Sequence, residues 1–81
     1  MDNLFVGQIE LLPYTFEPMY LALCDGRLLP INGNDALFSL IGNKYGGDGQ
    51  TNFALPNLKG TEPIPNTNYY IALEGIYPTR D

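Results

Sequence analysis

Apolar and polar positions change rhythm along this chain, and each rhythm predicts an element. From Gly7 to Leu12, polar Gln8 and Glu10 alternate with apolar Ile9 and Leu11, the period of a half-buried strand. Pro13 ends it, because proline cannot donate to a ladder. The apolar runs at 20–24 and 27–30 flank Asp25-Gly26. An Asp-Gly pair between apolar runs is a strong hairpin signal, since a type I′ turn needs positive φ at both central residues. The pattern therefore predicts two strands joined as a hairpin.

The rhythm then lengthens. Leu37, Leu40 and Ile41 fall on one helical face, and Phe38 widens it. Asn32 is placed as N-cap, with Asp35 completing a weak capping box. Gly42 is placed as the left-handed residue at the C-terminal end. The helix is expected over 33–41. Residues 43–50 form a loop around Gly46, Gly47 and Gly49. Short extended pieces are expected at 51–55 and 58–60, and a proline-bearing connector at 61–68.

The stretch 69–74 places Tyr70 and Ala72 on one face and Tyr69, Ile71 and Leu73 on the other. A strand apolar on both faces is usually covered on both. In so short a chain, one face is expected to meet another subunit. The expected core is Leu23, Leu37, Phe38, Leu40, Ile41 and Ile71. The expected interface is Leu4, Phe5, Val6, Tyr69, Tyr70, Ile71, Leu73, Ile76 and Tyr77. The fold class is α+β, mostly β, as a single domain over 1–81 with one short helix and ordered loops.

Composition narrows the function. A domain of 81 residues buries little surface, and small domains lean on disulfides, metals or oligomerisation. One cysteine, Cys24, and no histidine exclude an internal disulfide and a Cys/His zinc site. Self-association is the aid left open. The net charge is −5 with four scattered basic residues, so nothing tracks a phosphate backbone or an anionic membrane. Neither nucleic acid nor membrane insertion is expected. The N-terminus lacks a basic segment ahead of a long apolar run, so no ordinary signal peptide is expected.

Candidate chemistry is thin. The loop Gly46-Gly47-Asp48-Gly49 is followed by Gln-Thr-Asn, not the Gly-Lys-Ser/Thr of a phosphate loop, and reads as a turn. Asp25, Asp35 and Asp48 lack calcium-loop spacing. Cys24 has no histidine base and reads as a small buried hydrophobe. No catalytic, cofactor or metal residue is expected. The six tyrosines fit core and subunit interface, where tyrosine is enriched. Stacking on sugars is the alternative.

Several motifs together resemble phage tail-collar domains. They are Gly7-Gln8-Ile9-Glu10-Leu11, the run from Ala22 to Ile31, Asp35 to Gly42, Tyr45 to Gly49, and Phe53 to Gly60. Tyr70 to Pro78 is similar to the end of the microcystin-dependent protein branch. The resemblance implies a β-rich structural module of tail fibres or fibre-like bacterial proteins, oligomeric, commonly trimeric, without catalysis. Leu21 stands where the family usually has tryptophan. Only residues 61–68 stand where it usually has a long variable segment. The expected function is a self-assembling protomer in a virion tail or extracellular filament, partnered by copies of itself. The alternative is a collar module that binds a cell-surface glycan.

Overall fold

A computed structural model describes residues 4–79. Its elements are β1 (Ile9–Leu12), β2 (Leu21–Leu23), β3 (Leu28–Pro30), α1 (Asp35–Ile41), β4 (Asn52–Ala54) and β5 (Asn68–Ala72). They form an antiparallel sheet in the order β1-β5-β2 and a two-stranded antiparallel sheet of β3 and β4. The mostly-β class with one short helix is what the patterning predicts.

The last strand in the chain is the central one. β5 sets Ile9 opposite Ile71 and Glu10 opposite Tyr70 on one side, and Ala22 opposite Ile71 on the other. Its two apolar faces are covered within the same chain. Ile71 joins Val6, Ala22, Cys24, Leu37, Phe53 and Leu55 in one core cluster, with Tyr69 and Leu73 packed against it. Tyr70 and Ala72 join Leu21 in a second cluster, flanked by Leu4, Leu12 and Leu23. Within one chain, Tyr70, Ile71 and Ala72 are buried, while Tyr69 and Leu73 stay half-buried. The alternation of β5 records a central strand with core on both sides.

The Asp25-Gly26 hairpin is not formed. β2 pairs with β5, and β3 pairs with β4. Gly26 has φ +82, whereas Asp25 is not among the residues of positive φ, so the type I′ requirement is unmet. The Asp25 carboxylate instead accepts the Arg27 backbone N–H at 3.1 Å, and Asp25 bridges to Asn57. This local turn steers the two strands into different sheets.

The helix starts later than periodicity suggests. Its N-cap is Asn34 rather than Asn32. Gly33, at φ +91, interrupts any earlier helical turn, and the Asn34 N–H bonds back to the Ile31 carbonyl. Asp35 is the first helical residue, an acidic group in the first turn rather than a capping-box partner. Gly42 ends the helix at φ 58, its N–H bonded to the Phe38 carbonyl. Residues 58–60, expected to be extended, form a turn in which Thr61 N–H reaches the Leu58 carbonyl.

Of the expected core, Leu37 and Ile71 are fully buried; Leu23, Phe38, Leu40 and Ile41 are half-buried around the clusters. Phe53 and Leu55 are large core side chains that the patterning did not single out, and Tyr70, expected at an interface, is a third.

Candidate assembly surface

Polar side chains of this fold spend their hydrogen bonds on its own loops. The Glu17 carboxylate accepts the Leu23 N–H at 2.7 Å and pairs with Arg27 Nη1 at 2.9 Å. Arg27 also donates from Nε and Nη2 to the two Asp25 oxygens, at 3.0 and 3.2 Å. This fork fits a planar guanidinium to a carboxylate. The Arg27 bonds hold the Asp25 carboxyl below its ordinary range, and Asp25 raises Arg27 in return. The knot ties the loop after β1 to the turn after β2.

Asp48 does the same for the glycine loop. Its carboxylate accepts the backbone N–H groups of Gln50, Thr51 and Asn52 at 2.8, 2.8 and 3.0 Å, and the Thr51 hydroxyl at 2.7 Å. These donors, Thr51 first, hold the carboxyl well below the usual range. The donors a phosphate would need are turned onto Asp48. Gly47 is required here because a Cβ would lie 2.6 Å from Phe53 Cα at φ +90. Gly46 and Gly49 also have positive φ.

Cys24 lies 1% exposed in the core. Burial, and then the Asp25 charge, push its thiol up to about 11, so it stays protonated and unreactive near neutrality. Among the described residues, no three of Asp, Glu, Cys or His come together to hold a metal. No described helix is long and apolar enough to cross a membrane.

The fold also leaves large apolar side chains at the surface. The nine expected interface residues divide into three groups. Val6, Tyr70 and Ile71 are buried within the chain. Leu4, Tyr69 and Leu73 are half-buried against the core clusters. Phe5, Ile76 and Tyr77 stay 47%, 47% and 48% exposed. These three sit where the two end segments meet. Phe5 bridges Ile76 in parallel, Val6 N–H reaches the Ile76 carbonyl at 2.9 Å, and Ile76 N–H reaches the Leu4 carbonyl at 2.9 Å. A hydroxyl contact between Tyr77 and Ser39 ties the end segment to α1.

A second exposed group was not foreseen. The loop between β1 and β2 presents Phe16, Met19 and Tyr20, and Tyr14 stacks on Phe16 with centroids 5.2 Å apart. Tyr20 has φ 68, unusual for a bulky residue. The available signal was a dense aromatic stretch between Pro13 and Pro18.

A family model described as Phage Tail Collar Domain matches residues 7–63. The chain belongs to the phage tail collar family. The match spans β1 through β4 and ends before β5. No curated protein and no solved structure matches the chain. Collar domains are structural modules of phage tails, and this one folds as a small β core with loops stapled by their own carboxylates and with exposed apolar side chains.

Proposed function

We propose that this collar domain is a structural protomer that assembles with copies of itself in a virion tail or an extracellular filament. The observation that carries the reading is the exposed apolar trio of Phe5, Ile76 and Tyr77 at the paired chain ends. Phe5 and Ile76, bridged side by side with Tyr77 next in the chain, expose apolar surface on a small acidic domain, which supports an interaction site. Family membership supports a structural rather than a chemical role. The test is light scattering across a protein concentration series, with negative-stain microscopy at the upper end. Assemblies that dissociate when Phe5 and Tyr77 are both changed to serine are expected. A chain that stays monomeric throughout the series refutes the proposal.

One observation favours a second reading. Tyr14 and Phe16, stacked and exposed, offer aromatic surface to a sugar ring in a collar module that binds cell-surface glycan. A glycan array probed with the wild type and with the Tyr14→Ala/Phe16→Ala double variant separates the two. Binding lost in the variant supports the glycan reading, and an array without signal removes it.

A further inference from the structure

Sheet edges carry unpaired backbone groups that invite another strand, and folded proteins usually blunt them. This fold has four edges, and their treatment is unequal. On the outer edge of β2, the Leu21 N–H bonds to the Pro18 carbonyl and the Leu23 N–H to the Glu17 carboxylate. On the outer edge of β4, the Ala54 N–H bonds to the Gly46 carbonyl, the Asn52 N–H to Asp48, and the Asn52 carbonyl accepts Gly49 N–H. The outer edge of β3 carries Leu28 and Pro30; Pro30 has no N–H and its carbonyl is taken by the Asn34 side chain, so among the described residues Leu28 alone keeps its outward groups unmatched there.

The outer edge of β1 leaves two consecutive outward residues open, against one on β3, and no proline interrupts them. The Ala72 N–H bonds to the Gln8 carbonyl, and antiparallel ladders alternate. Glu10 and Leu12 therefore face β5 with their backbone groups, while Ile9 and Leu11 aim theirs outward. Among the described residues nothing accepts from or donates to those outward groups. Ile9 is also 39% exposed.

We infer that the outer edge of β1 is a contact between two copies of this chain, paired antiparallel with Ile9 opposite Ile9 of the second copy. The inference rests on the self-assembly reading above and names a surface for it. Three two-fold registers bring outward residues together. Pairing Ile9 with Leu11 sets Glu10 opposite Glu10 at a site where side chains approach most closely, and like charges there repel. Pairing Leu11 with Leu11 sets Ile9 opposite Pro13, which cannot donate. Pairing Ile9 with Ile9 sets each Gln8 opposite a Glu10 and brings the two exposed isoleucines side by side. Gln8 already donates to Glu10 within one chain at 2.7 Å, so amide and carboxylate are matched on that face. The contact is short, so it is weak alone and gains strength through repetition in an assembly.

The test uses the full chain, with mass followed by light scattering over a concentration series. Ile9→Pro removes the outward N–H and leaves the bonds to β5 intact. It is expected to weaken association about tenfold or more. Gln8→Glu keeps the oxygen that accepts the Phe5 N–H at 3.0 Å but sets carboxylates opposite each other, and it is expected to weaken association similarly. Labelled Gln8→Glu chains are then expected to enter mixed complexes with Glu10→Gln chains, because the opposing pairs become complementary again. An effect internal to one chain cannot produce that rescue. If Ile9→Pro fails to fold, the mixing experiment decides. Association that persists unchanged in Gln8→Glu, or a mixture without rescue, overturns the β1 contact and leaves the self-assembly reading standing. A wild-type chain that never associates removes both.

Discussion

Phe53 joins the two sheets in one core, and removing its ring should take a large share of the stability of the domain. It sits on β4 in the two-stranded sheet, is 0% exposed, and packs among Val6, Ala22, Leu37 and Ile71 of the shared core. Its ring meets Phe38 of α1 at 5.4 Å, tilted by 55°, so one side chain joins both sheets and the helix. Truncating a buried phenylalanine to alanine costs about 3–5 kcal/mol. A chain of 81 residues has a total stability of about 4–12 kcal/mol. Phe53→Ala is therefore expected to lower the melting temperature by roughly 12–40 °C, at about 4–8 °C per kcal/mol. Phe53→Leu, which keeps most of the volume, should cost about 1.5 kcal/mol. Leu28→Ala, at a residue 57% exposed on β3, should cost less than about 0.5 kcal/mol. Urea unfolding followed by the fluorescence of the six tyrosines measures all three. Dilute protein keeps association from adding to apparent stability. If Phe53→Ala loses under about 1 kcal/mol at an unchanged denaturant slope, the two sheets do not share a core through this ring.

Gly47→Ala and Gly33→Ala form a matched pair at φ +90 and +91, but only the first brings Cβ within 2.6 Å of Phe53 Cα, the second meeting nothing within 4 Å. Gly33→Ala should cost about 1 kcal/mol and Gly47→Ala clearly more than about 2 kcal/mol; equal losses in chemical unfolding would refute the close approach. Tyr20→Gly should stabilise by up to about 1 kcal/mol, because it relieves the backbone at φ 68 while giving up a ring that is 56% exposed; a loss in melting temperature would show that the ring packs. Stability should also fall on the alkaline side. The folded state keeps the Cys24 proton up to about 11 against an ordinary 9.0, so the unfolded chain releases it first and stability declines as pH rises through that window. Cys24→Ala should lack this decline, and an identical alkaline limb in the variant would contradict it. Below the ordinary carboxylate range, protonating Asp25 and Asp48 should erode stability, since both are held low in the fold. Asp48→Asn should flatten that acid limb in a pH series of melting temperatures.

Local rules read the elements of this chain well and their partners poorly. The alternation at Ile9–Leu12, the helical stripe of Leu37, Leu40 and Ile41, and the two-faced apolar segment around Tyr70 and Ile71 all carry their periods into the structure. Pairing failed where a side chain outbid a backbone preference. Asp25 closes its turn through its carboxylate and Arg27, which no Asp-Gly rule anticipates. Phe53 escaped notice because β4 has only three residues, too few for any period. The Glu17–Arg27–Asp25 knot joins residues up to ten apart through side chains alone, and hydropathy carries no trace of it. The exposed apolar trio was legible only in part. Composition marks Phe5, Ile76 and Tyr77 as apolar, but it cannot separate them from Val6 and Ile71, which the same chain buries.

The position of β5 adds a constraint that the family match leaves out. The match ends at residue 63, yet β1 and β2 have no direct ladder and are joined only through β5, at Asn68–Ala72. A chain stopped at the end of the match would leave a strand-wide gap between them. Both core clusters would be open there, because each takes a member from β5: Ile71 for one, Tyr70 and Ala72 for the other. The collar sequence therefore specifies most of the walls of this fold, and the segment after it supplies the piece that closes them. That closing strand is followed, after Leu73, Glu74 and Gly75, by Ile76 and Tyr77. Completion of the core and presentation of the exposed apolar end are thus the work of one short stretch of chain, and a change that loosens β5 should disturb stability and surface together.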